Sequence, residues 1–338
     1  MKIGKSSYLY NNVYLKDSST IVGEMEATGP LGHYFETSNT DPYFGMNSWE
    51  QAEMKMTQTV IQQLLEKTKL QQSDIDIAFG GDLVNQLVPS NYAMRNFEIP
   101  FMGVYSACAT AIEAMILAST YIESKLANRA LVFASSHTNM AEKQFRMPVE
   151  YGGHKNESAQ YTATGSGAGL LTSNKTEIKI HRATIGRVID ANQKNPADMG
   201  SAMAPAAAET IKQHLEDFKL KPTDYDLILT GDLSGVGTPI LLEILSMYQI
   251  DISEVHNDCG KMLYHDHQPT FAGASGAGCV SIVTMSYIVE KLRKKELNNV
   301  LIIGTGALLN AMIVSQKETI PCIAHAIALT TDIKGGKS

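Results

Sequence analysis

The sequence predicts an α/β fold made of two similar halves, and two observations support that prediction. Residues 61–83 and 211–233 align without a gap at an offset of 150, and eleven of their 23 positions are identical. Apolar runs of strand length also alternate with helical patterns along the chain, which is typical of sheets covered by helices. Two such halves, with helices between their sheets, give a layered α/β/α/β/α body. A cysteine at a strand-to-helix turn, Cys108, has no counterpart in the second half.

The first half begins with a helix and continues with four predicted strands. Ser48 caps the helix, whose apolar positions recur at helical spacing from Trp49 to Leu64. The strands are predicted at residues 75–79, 101–105, 130–134 and 167–172, with a second helix at 109–126. Residues 137–166 form a long loop, and long loops in compact domains are more often functional than idle. We place this half at residues 1–175.

The second half repeats this order over residues 176–338. Its elements are a helix at 205–219, a strand at 227–230, a glycine-rich turn at 272–278, a helix at 279–295 and strands at 299–304 and 320–329. Because strands alternate with helices in both halves, we expect parallel sheets. The later parts of the halves share this pattern with hardly any identity, so the duplication is strong in one segment and architectural elsewhere.

Composition excludes several classes of protein. The 338 residues are 44% hydrophobic and 19% charged, and the net charge of −7 argues against a general affinity for nucleic acid. The chain has no run of 18 apolar residues, and its first residues lack the apolar region of a signal peptide. The four cysteines are scattered without metal-binding spacing. We therefore expect a cytosolically made protein with neither a structural metal nor a cofactor.

Cys108 follows an apolar strand and is flanked by small residues from Ser106 to Thr110. Such a turn brings the sulfur close to the free N–H groups at the start of a helix, and these donors favour the thiolate. The alternative is that Cys108 is a small buried apolar residue at a crowded helix start. Spacing alone does not decide between the two.

The residues around Cys108 resemble a known nucleophile turn. The segment 106–113 (SACATAIE) is similar to that of thiolases and β-ketoacyl synthases, and 274–277 (ASGA) resembles the late glycine turn of thiolases. A closer resemblance, over nearly the whole chain, is to the stage V sporulation protein AD family, which is itself thiolase-like. The segments that carry it are GPLGHYF (29–35), RMPVEYGGHK (146–155), IGRVID (185–190), DMGSAMAPAAAET (198–210), YDLILTGDLSGVG (225–237) and HNDCG (256–260).

This resemblance implies a thiolase-like, duplicated five-layer fold and a role in sporulation. It also implies binding of dipicolinic acid (pyridine-2,6-dicarboxylate), or of its calcium chelate, during uptake of that compound into the developing spore. The implied partners are the other stage V sporulation A proteins and a second copy of the chain, paired through an edge strand near Cys108. The chain would then lie peripherally on the spore inner membrane, attached through those proteins.

The sequence departs from enzymes of this fold where they carry their proton-transfer groups. The stretch 230–234 has no histidine where ketosynthases place one, and 270–274 has neither His nor Asn. The strand at 301–304 lacks the second cysteine of thiolases. These departures favour a pocket kept for binding. The alternative is a divergent acyl transferase or thiolase-like enzyme, with Cys108 as nucleophile and coenzyme A or a carrier protein as acyl donor.

Six residues are candidates for ligand binding, and each also has a structural interpretation. They are Cys108, Asp82, Asp232, His137, Arg146 and Arg187. Asp82 and Asp232, paired by the duplication, either orient donors at the site or cap a turn. His137 follows a strand end, where ligand sites of α/β proteins open, or is an ordinary hydrogen-bonded histidine. Arg146 and Arg187 present planar forks suited to carboxylates, or form surface ion pairs.

Overall fold

The protein's structure, a computed structural model, describes residues 1–145 and 155–331. The strands of this part are β1 (Lys2–Ile3), β2 (Ser7–Leu9), β3 (Tyr14–Gly23), β4 (Thr37–Asn39), β5 (Ile77–Gly81), β6 (Phe101–Gly103), β7 (Arg129–Ser136), β8 (Tyr161–Thr162), β9 (Gly165–Thr172), β10 (Ile178–Ile185), β11 (Leu227–Thr230), β12 (His256–Asp258), β13 (Ala274–Ser275), β14 (Asn299–Ala307) and β15 (Cys322–Thr330). Its α-helices are α1 (Glu24–Ala27), α2 (Trp49–Thr68), α3 (Val88–Met94), α4 (Thr110–Glu123), α5 (Thr138–Phe145), α6 (Met199–Phe218), α7 (Ser234–Met247), α8 (Cys259–Met262), α9 (Ala277–Val283), α10 (Val289–Arg293) and α11 (Ala311–Ser315).

A mixed sheet crosses the molecule as two runs of five strands. The first run is β6-β5-β7-β9-β3 and the second is β12-β11-β14-β15-β10, so each position of one run has a counterpart in the other. β3 and β10 join the runs at a short seam, where Tyr14 pairs with Lys179 and Leu15 with Ile178. The matching strand orders are what a duplicated chain would produce.

The strand directions correct the prediction of parallel sheets. β5 is parallel to β6 and β7, and β11 is parallel to β12 and β14. β9 and β15, however, lie antiparallel to the strands on both sides of them. A parallel neighbour needs a crossover that returns along the sheet, whereas β14 and β15 are joined by a loop with one short helix, α11. The sheet is therefore parallel at its two ends and antiparallel in its centre.

Helices and strands stack in the five predicted layers. α4 lies between the two runs, where it contacts β5 and β7 of the first and β14 and β15 of the second, and α9 packs beside it. α2 covers the outer face of the first run, with Met56, Val60 and Leu64 fully buried there, and α6 covers the outer face of the second. The predicted α/β/α/β/α arrangement is confirmed.

The repeated segments take the same local structure, which explains why they share residues. α2 and α6 each end at a lysine in the left-handed conformation, Lys69 with φ 55° and Lys219 with φ 54°. Asp76 accepts two N–H groups at the start of β7 at 2.7 and 2.9 Å. Its counterpart Asp226 accepts two at the start of β14 at 2.7 and 2.9 Å. Each aspartate thereby ties the strand that follows its helix to the neighbouring strand.

The predicted elements are found, with small differences in their bounds, except in the region 137–166. This region was predicted as a loop, but it contains α5 and the two-residue strand β8. Residues 146–154 of it lie outside the described part of the chain. α5 continues directly from the end of β7, so the region starts as ordered structure at the edge of the sheet.

Candidate functional site

The turn that carries Cys108 lies between β6 and α4 and packs against β14. Ala107 adopts a left-handed conformation (φ 49°), which turns the chain sharply just before the cysteine. A Cβ at Gly306 of β14 would stand 2.3 Å from the carbonyl oxygen of Ser106, so the close approach requires glycine at that position. Ser106 is also held by Glu113, whose carboxylate accepts a hydrogen bond from its hydroxyl at 2.7 Å.

The thiol of Cys108 lies next to residues from the second half of the chain. Its Sγ lies 3.6 Å from the Oγ of Ser275, whose hydroxyl donates to the carboxylate of Asp232. Burial, and after it the negative charge of Asp232, raises the pKa of this thiol well above its usual range. Desolvation and the neighbouring acid thus act against the thiolate, in opposition to the helix N–H groups, and favour the alternative of a small buried residue.

Asp232 follows β11 and is the centre of a buried hydrogen-bond network. One carboxylate oxygen accepts from the Oγ of Ser275 at 2.9 Å and from the N–H of Gly276 at 3.1 Å. The other accepts from the Oγ1 of Thr305 at 2.6 Å. Burial raises the pKa of this carboxyl, while the hydrogen bonds act in the opposite direction. The network connects β11, the glycine-rich turn and β14 next to the thiol.

A cavity of about 280 Å³ opens over Cys108. Its polar lining consists of Tyr105, Cys108, Glu142, Gln160, Thr162 and Ser275. Its apolar walls include Leu83, Phe145, Met199 and Leu309. Of the described residues that line it, none is a histidine, lysine or arginine. A mostly apolar concavity with a few placed polar groups is the usual form of a small-molecule site.

Sequence reasoning missed several of these polar groups. Gln160 and Glu142 lie in the region 137–166, where no motif distinguishes them from their neighbours. Gln160 is 3% exposed, and its Nε2 donates to the carbonyl oxygen of Asp232 and, at 3.0 Å, to the Oγ of Ser234. Glu142 forms an ion pair with Lys155 at 2.7 Å. Ser275 could have been found, since it lies within the predicted glycine-rich turn.

Of the predicted site residues, the structure brings Cys108 and Asp232 together at the cavity. Asp82 occupies the place after β5 that Asp232 occupies after β11, and it accepts the N–H groups of Val84 at 2.7 Å and Ser90 at 2.9 Å. It is fully buried behind the cavity wall. The contacts of Asp82 are those of the turn-capping alternative.

Of the remaining three candidates, two lie away from the cavity lining and one lies outside the described residues. His137 is buried, its Nε2 contacts the carbonyl oxygen of Pro42 at 2.8 Å, and burial lowers its pKa. Arg187 is 68% exposed and pairs with Glu209 at 3.0 Å, away from the cavity lining. Arg146 lies outside the described residues. The structure therefore does not place His137 or Arg187 in the lining of the cavity.

Three further findings concern membrane-spanning helices, metal binding and the cysteines. Across residues 1–145 and 155–331, no helix has both the length and the apolar character needed to cross a bilayer. The same part of the chain has no group of three or more His, Cys, Asp or Glu side chains placed to hold a metal ion. The four cysteines are all buried as free thiols.

Asp258, at the end of β12, gives a prediction for pH dependence. Its carboxylate accepts the N–H groups of Leu233 and Ser234, both at 2.9 Å, and burial raises its pKa to about 6. Because the folded protein holds this proton more tightly than the unfolded chain, the stability it contributes falls as the pH rises from about 4 to about 6. We therefore expect the free energy of unfolding of wild type, relative to that of Asp258→Asn, to increase by about 2 kcal/mol when the pH is lowered from 7 to 4. Denaturation curves at the two pH values measure this difference. Titrating groups that do not interact with Asp258 cancel in this difference, and a difference independent of pH would contradict the prediction.

Comparison with solved structures gives the class of the fold. The 3-oxoacyl-[acyl-carrier-protein] synthase III from Aquifex aeolicus VF5 aligns with a TM-score of 0.56 and 14% identity, over 94% of this chain and 99% of that one. Cerulenin-bound OleA from Xanthomonas campestris aligns with a TM-score of 0.61 and 12% identity, over 94% and 97% of the two chains. At such identities the likeness is one of fold alone. It confirms that the protein has a thiolase-like fold, here with a cavity over a buried cysteine.

Sequence comparison gives the family. A family model described as Stage V sporulation protein AD matches residues 4–330. The stage V sporulation protein AD of Bacillus subtilis (strain 168) is 44% identical over 325 residues, which is 96% of each chain. The chain belongs to the stage V sporulation protein AD family, as its motifs predicted. Membership places it among the proteins of sporulation.

Proposed function

We propose that this chain is a non-catalytic protein that binds dipicolinic acid, or its calcium chelate, in the cavity over Cys108. It would thereby support uptake of that compound into the developing spore. The observation that carries the non-catalytic part is that no histidine stands among the described residues lining the cavity with Cys108, while burial and Asp232 raise the pKa of its thiol. The identity of the ligand is the one that the family resemblance implies.

The groups around the thiol favour binding over carbon–carbon bond formation. A cysteine nucleophile needs either a lowered pKa or a base that takes its proton. Asp232 is the nearest candidate base, but its carboxylate already accepts hydrogen bonds from Ser275, Gly276 and Thr305. No imidazole lies among the described residues of the lining to carry a proton between substrate and enzyme. A binding protein derived from an enzyme fold would keep the cavity and lose the groups that transfer protons.

The lining also has the chemistry of a site for a small aromatic acid. The apolar walls, such as Leu83 and Met199, suit the faces of a planar ring. The hydroxyl groups of Tyr105 and Thr162 are polar groups that can meet its edge. Such a division between apolar faces and a polar edge suits a planar aromatic ring that carries polar substituents.

Isothermal titration calorimetry tests the proposal. We expect dipicolinate, titrated with or without calcium, to bind at one site per chain with a Kd on the order of micromolar. Isophthalate, which has both carboxylates but no ring nitrogen, is the matched control and should bind more weakly. Absence of heat from both forms of dipicolinate at about 1 mM ligand would show that the proposed ligand is wrong.

A second function has one observation in its favour. Cys108 lies at the wall of an open cavity just before α4, and the solved structures of similar fold are enzymes. On this alternative, Cys108 accepts an acyl group from coenzyme A or a carrier protein, with loss of the donor's thiol. Intact-mass measurement after incubation with acyl-CoA distinguishes the two. An acyl adduct that disappears in Cys108→Ala supports the enzyme, and an unmodified chain supports the binding protein.

Location and partners are part of the same proposal. We propose that the chain is made in the cytosol and reaches the spore inner membrane through other stage V sporulation A proteins. Salt-insensitive binding of the purified chain to lipid vesicles without those proteins would contradict this. The net charge of −7 itself gives no general attraction to anionic lipid.

A homodimer is also expected, through the edge of β6. β6 ends the first run of strands, and in the described chain one of its edges has no strand partner. Met102 in β6 and Tyr105 just after it are 47% and 42% exposed. A second copy pairing with this edge would cover both side chains.

Sedimentation velocity should show wild type at twice the chain mass of 36.8 kDa. Met102→Lys should shift it to the monomer, because a charge would be buried in the interface. Met247→Lys is the matched control, since Met247 is 71% exposed at the far end of α7. A wild-type chain that stays monomeric at micromolar concentration would overturn the expectation.

A further inference from the structure

A second cavity, of about 120 Å³, shares no lining residue with the cavity over Cys108. It opens between the last turn of α2, the strand β3 and the stretch from Met285 to Arg293. The charged side chains that line it are Glu36, Lys67, Glu290 and Arg293. Two of them are acids and two are bases, so the lining carries both signs of charge without an excess of either.

One wall of this second cavity is formed by an irregular helical turn. Residues Thr284–Ile288 wind as a π-helix between α9 and α10, and π-helical turns are rare and occur frequently at functional sites. The carbonyl oxygen of Met285 in this turn accepts a hydrogen bond from the hydroxyl of Ser18 in β3 at 2.6 Å. Ser18 is 3% exposed, so a buried contact holds the turn against the strand. The fold therefore fixes the position of this wall.

Of the two bases in the lining, Lys67 is occupied and Arg293 is not. Lys67 donates to the carbonyl oxygen of Ser18 at 2.9 Å. It also pairs with the carboxylates of Glu36 at 3.3 Å and Asp17 at 3.4 Å, and these contacts use its three N–H groups. Arg293 donates to Asp17 through its Nη2 at 2.8 Å. Its Nε and Nη1 have no acceptor within residues 1–145 and 155–331, so their N–H groups remain for a ligand.

The two acids of the lining each keep one free carboxylate oxygen. Glu36 pairs with Lys67 through its Oε2, and Glu290 pairs with Lys294 through its Oε1 at 2.5 Å. Their other oxygens have no partner in the described part of the chain. The hydroxyl of Thr20, which is 1% exposed, accepts the N–H of Glu36 at 3.1 Å and keeps its own proton to donate. Free acceptors and free donors thus line the same small space.

The charges of the lining select the kind of ligand that fits. A carboxylate without an amine would meet the two acids, and an amine without a carboxylate would meet the two bases, so like charge would repel either one. A zwitterion brings an acceptor for Arg293 and donors for Glu36 and Glu290. Because the cavity is small, the two charges of the ligand have to lie close together, as they do on the α-carbon of an amino acid.

We propose that this second cavity binds a small α-amino acid as its zwitterion. The carboxylate of the ligand lies against the guanidinium of Arg293, whose planar fork suits a carboxylate. The ammonium group of the ligand donates to the free oxygens of Glu36 and Glu290. The site is separate from the proposed function of the cavity over Cys108 and does not depend on it.

Ligand-detected NMR on the full chain gives the first test, with L-alanine as the probe. Propionate and ethylamine are the matched controls, because each is alanine without one of its two charged groups. We expect alanine to bind with a Kd of about 1 mM or lower, and each control to bind at least about tenfold more weakly. Binding of either control as tightly as alanine would overturn the proposal, and so would the absence of saturable alanine binding up to about 10 mM.

Two variants locate the site. Arg293→Gln removes the guanidinium fork and Glu290→Gln removes a charge that faces the ammonium group, so each should weaken alanine binding by about tenfold or more. Arg187→Gln is the matched control and should bind like wild type, because Arg187 also pairs with one carboxylate, that of Glu209 at 3.0 Å, and lies outside the lining. Circular dichroism checks the fold of each variant.

Wild-type affinity for alanine in either folded variant, Arg293→Gln or Glu290→Gln, would overturn the proposal. If Arg293→Gln does not fold, Glu290→Gln decides, because Glu290 has a side chain that is 39% exposed on α10 and its replacement disturbs little of the core.

Discussion

Replacing Asp232 by alanine is expected to lower the free energy of unfolding by about 3–5 kcal/mol. The substitution removes the acceptor for the hydroxyls of Ser275 and Thr305 and for the N–H of Gly276. Each buried donor left without an acceptor costs about 1–3 kcal/mol. The carboxylate also connects β11, the glycine-rich turn and β14, so its loss loosens three segments together. Urea denaturation measures the difference.

Two other variants separate this effect from the loss of any carboxylate. Asp232→Asn keeps the size of the side chain and one acceptor oxygen, so about half of the loss should remain. Asp251, which lies on the surface and accepts the N–H of Ser253 at 2.9 Å, is the matched control. Asp251→Ala should cost much less than Asp232→Ala. If Asp232→Ala were as stable as Asp251→Ala, the network would not hold these segments together.

Replacing Cys108 by phenylalanine is expected to weaken the binding of the proposed ligand, dipicolinate or its calcium chelate, by about a hundredfold or more. Cys108 lies at the wall of the cavity of about 280 Å³ and is 6% exposed, so a larger side chain there has to extend into the space of the ligand. Cys108→Ser should bind within about threefold of wild type, since a hydroxyl is of similar size and can keep the contact with Ser275. Calorimetry on the three proteins gives the ranking.

A fold defect in Cys108→Phe has to be excluded, because overpacking a buried site costs about 1–3 kcal/mol. Ala197→Trp serves this purpose, since Ala197 lines the same cavity but is partly exposed. It should also reduce binding while leaving the melting temperature near that of wild type. A catalytic cysteine would behave differently, with Cys108→Ser as damaging to turnover as Cys108→Ala. Unimpaired binding by Cys108→Phe would mean that the ligand occupies another place.

The sequence alone was sufficient for the parts of the fold that are marked by repeated segments or by runs of small residues. The identities between residues 61–83 and 211–233 predicted equivalent segments, and Asp76 and Asp226 indeed make the same contacts with neighbouring strands. Small residues around Cys108 predicted a tight turn, and Ala107 provides it. These features can be recognised within short stretches of the sequence.

The parts that could not be predicted depend on side chains brought together from distant segments. The charge state of Cys108 depends on Asp232 and Ser275, which lie 124 and 167 residues further along the chain. Gln160 reaches the cavity from a region without a motif. Arg187 was selected for its chemistry, yet its ion pair with Glu209 holds it at the surface. Residue type determines which interactions a side chain can make, whereas packing determines which groups it contacts.

The short seam between β3 and β10 separates two runs of strands that share one site between them. The first half of the chain supplies Cys108, and the second half supplies Asp232, Ser275 and Thr305. An ancestor with the length of one half could have built this site only by pairing with its own copy, and that pair would have carried two equivalent sites. Fusion into one chain freed each copy to diverge. Asp82, now bonded within its own half to Val84 and Ser90, stands where the second site would have been.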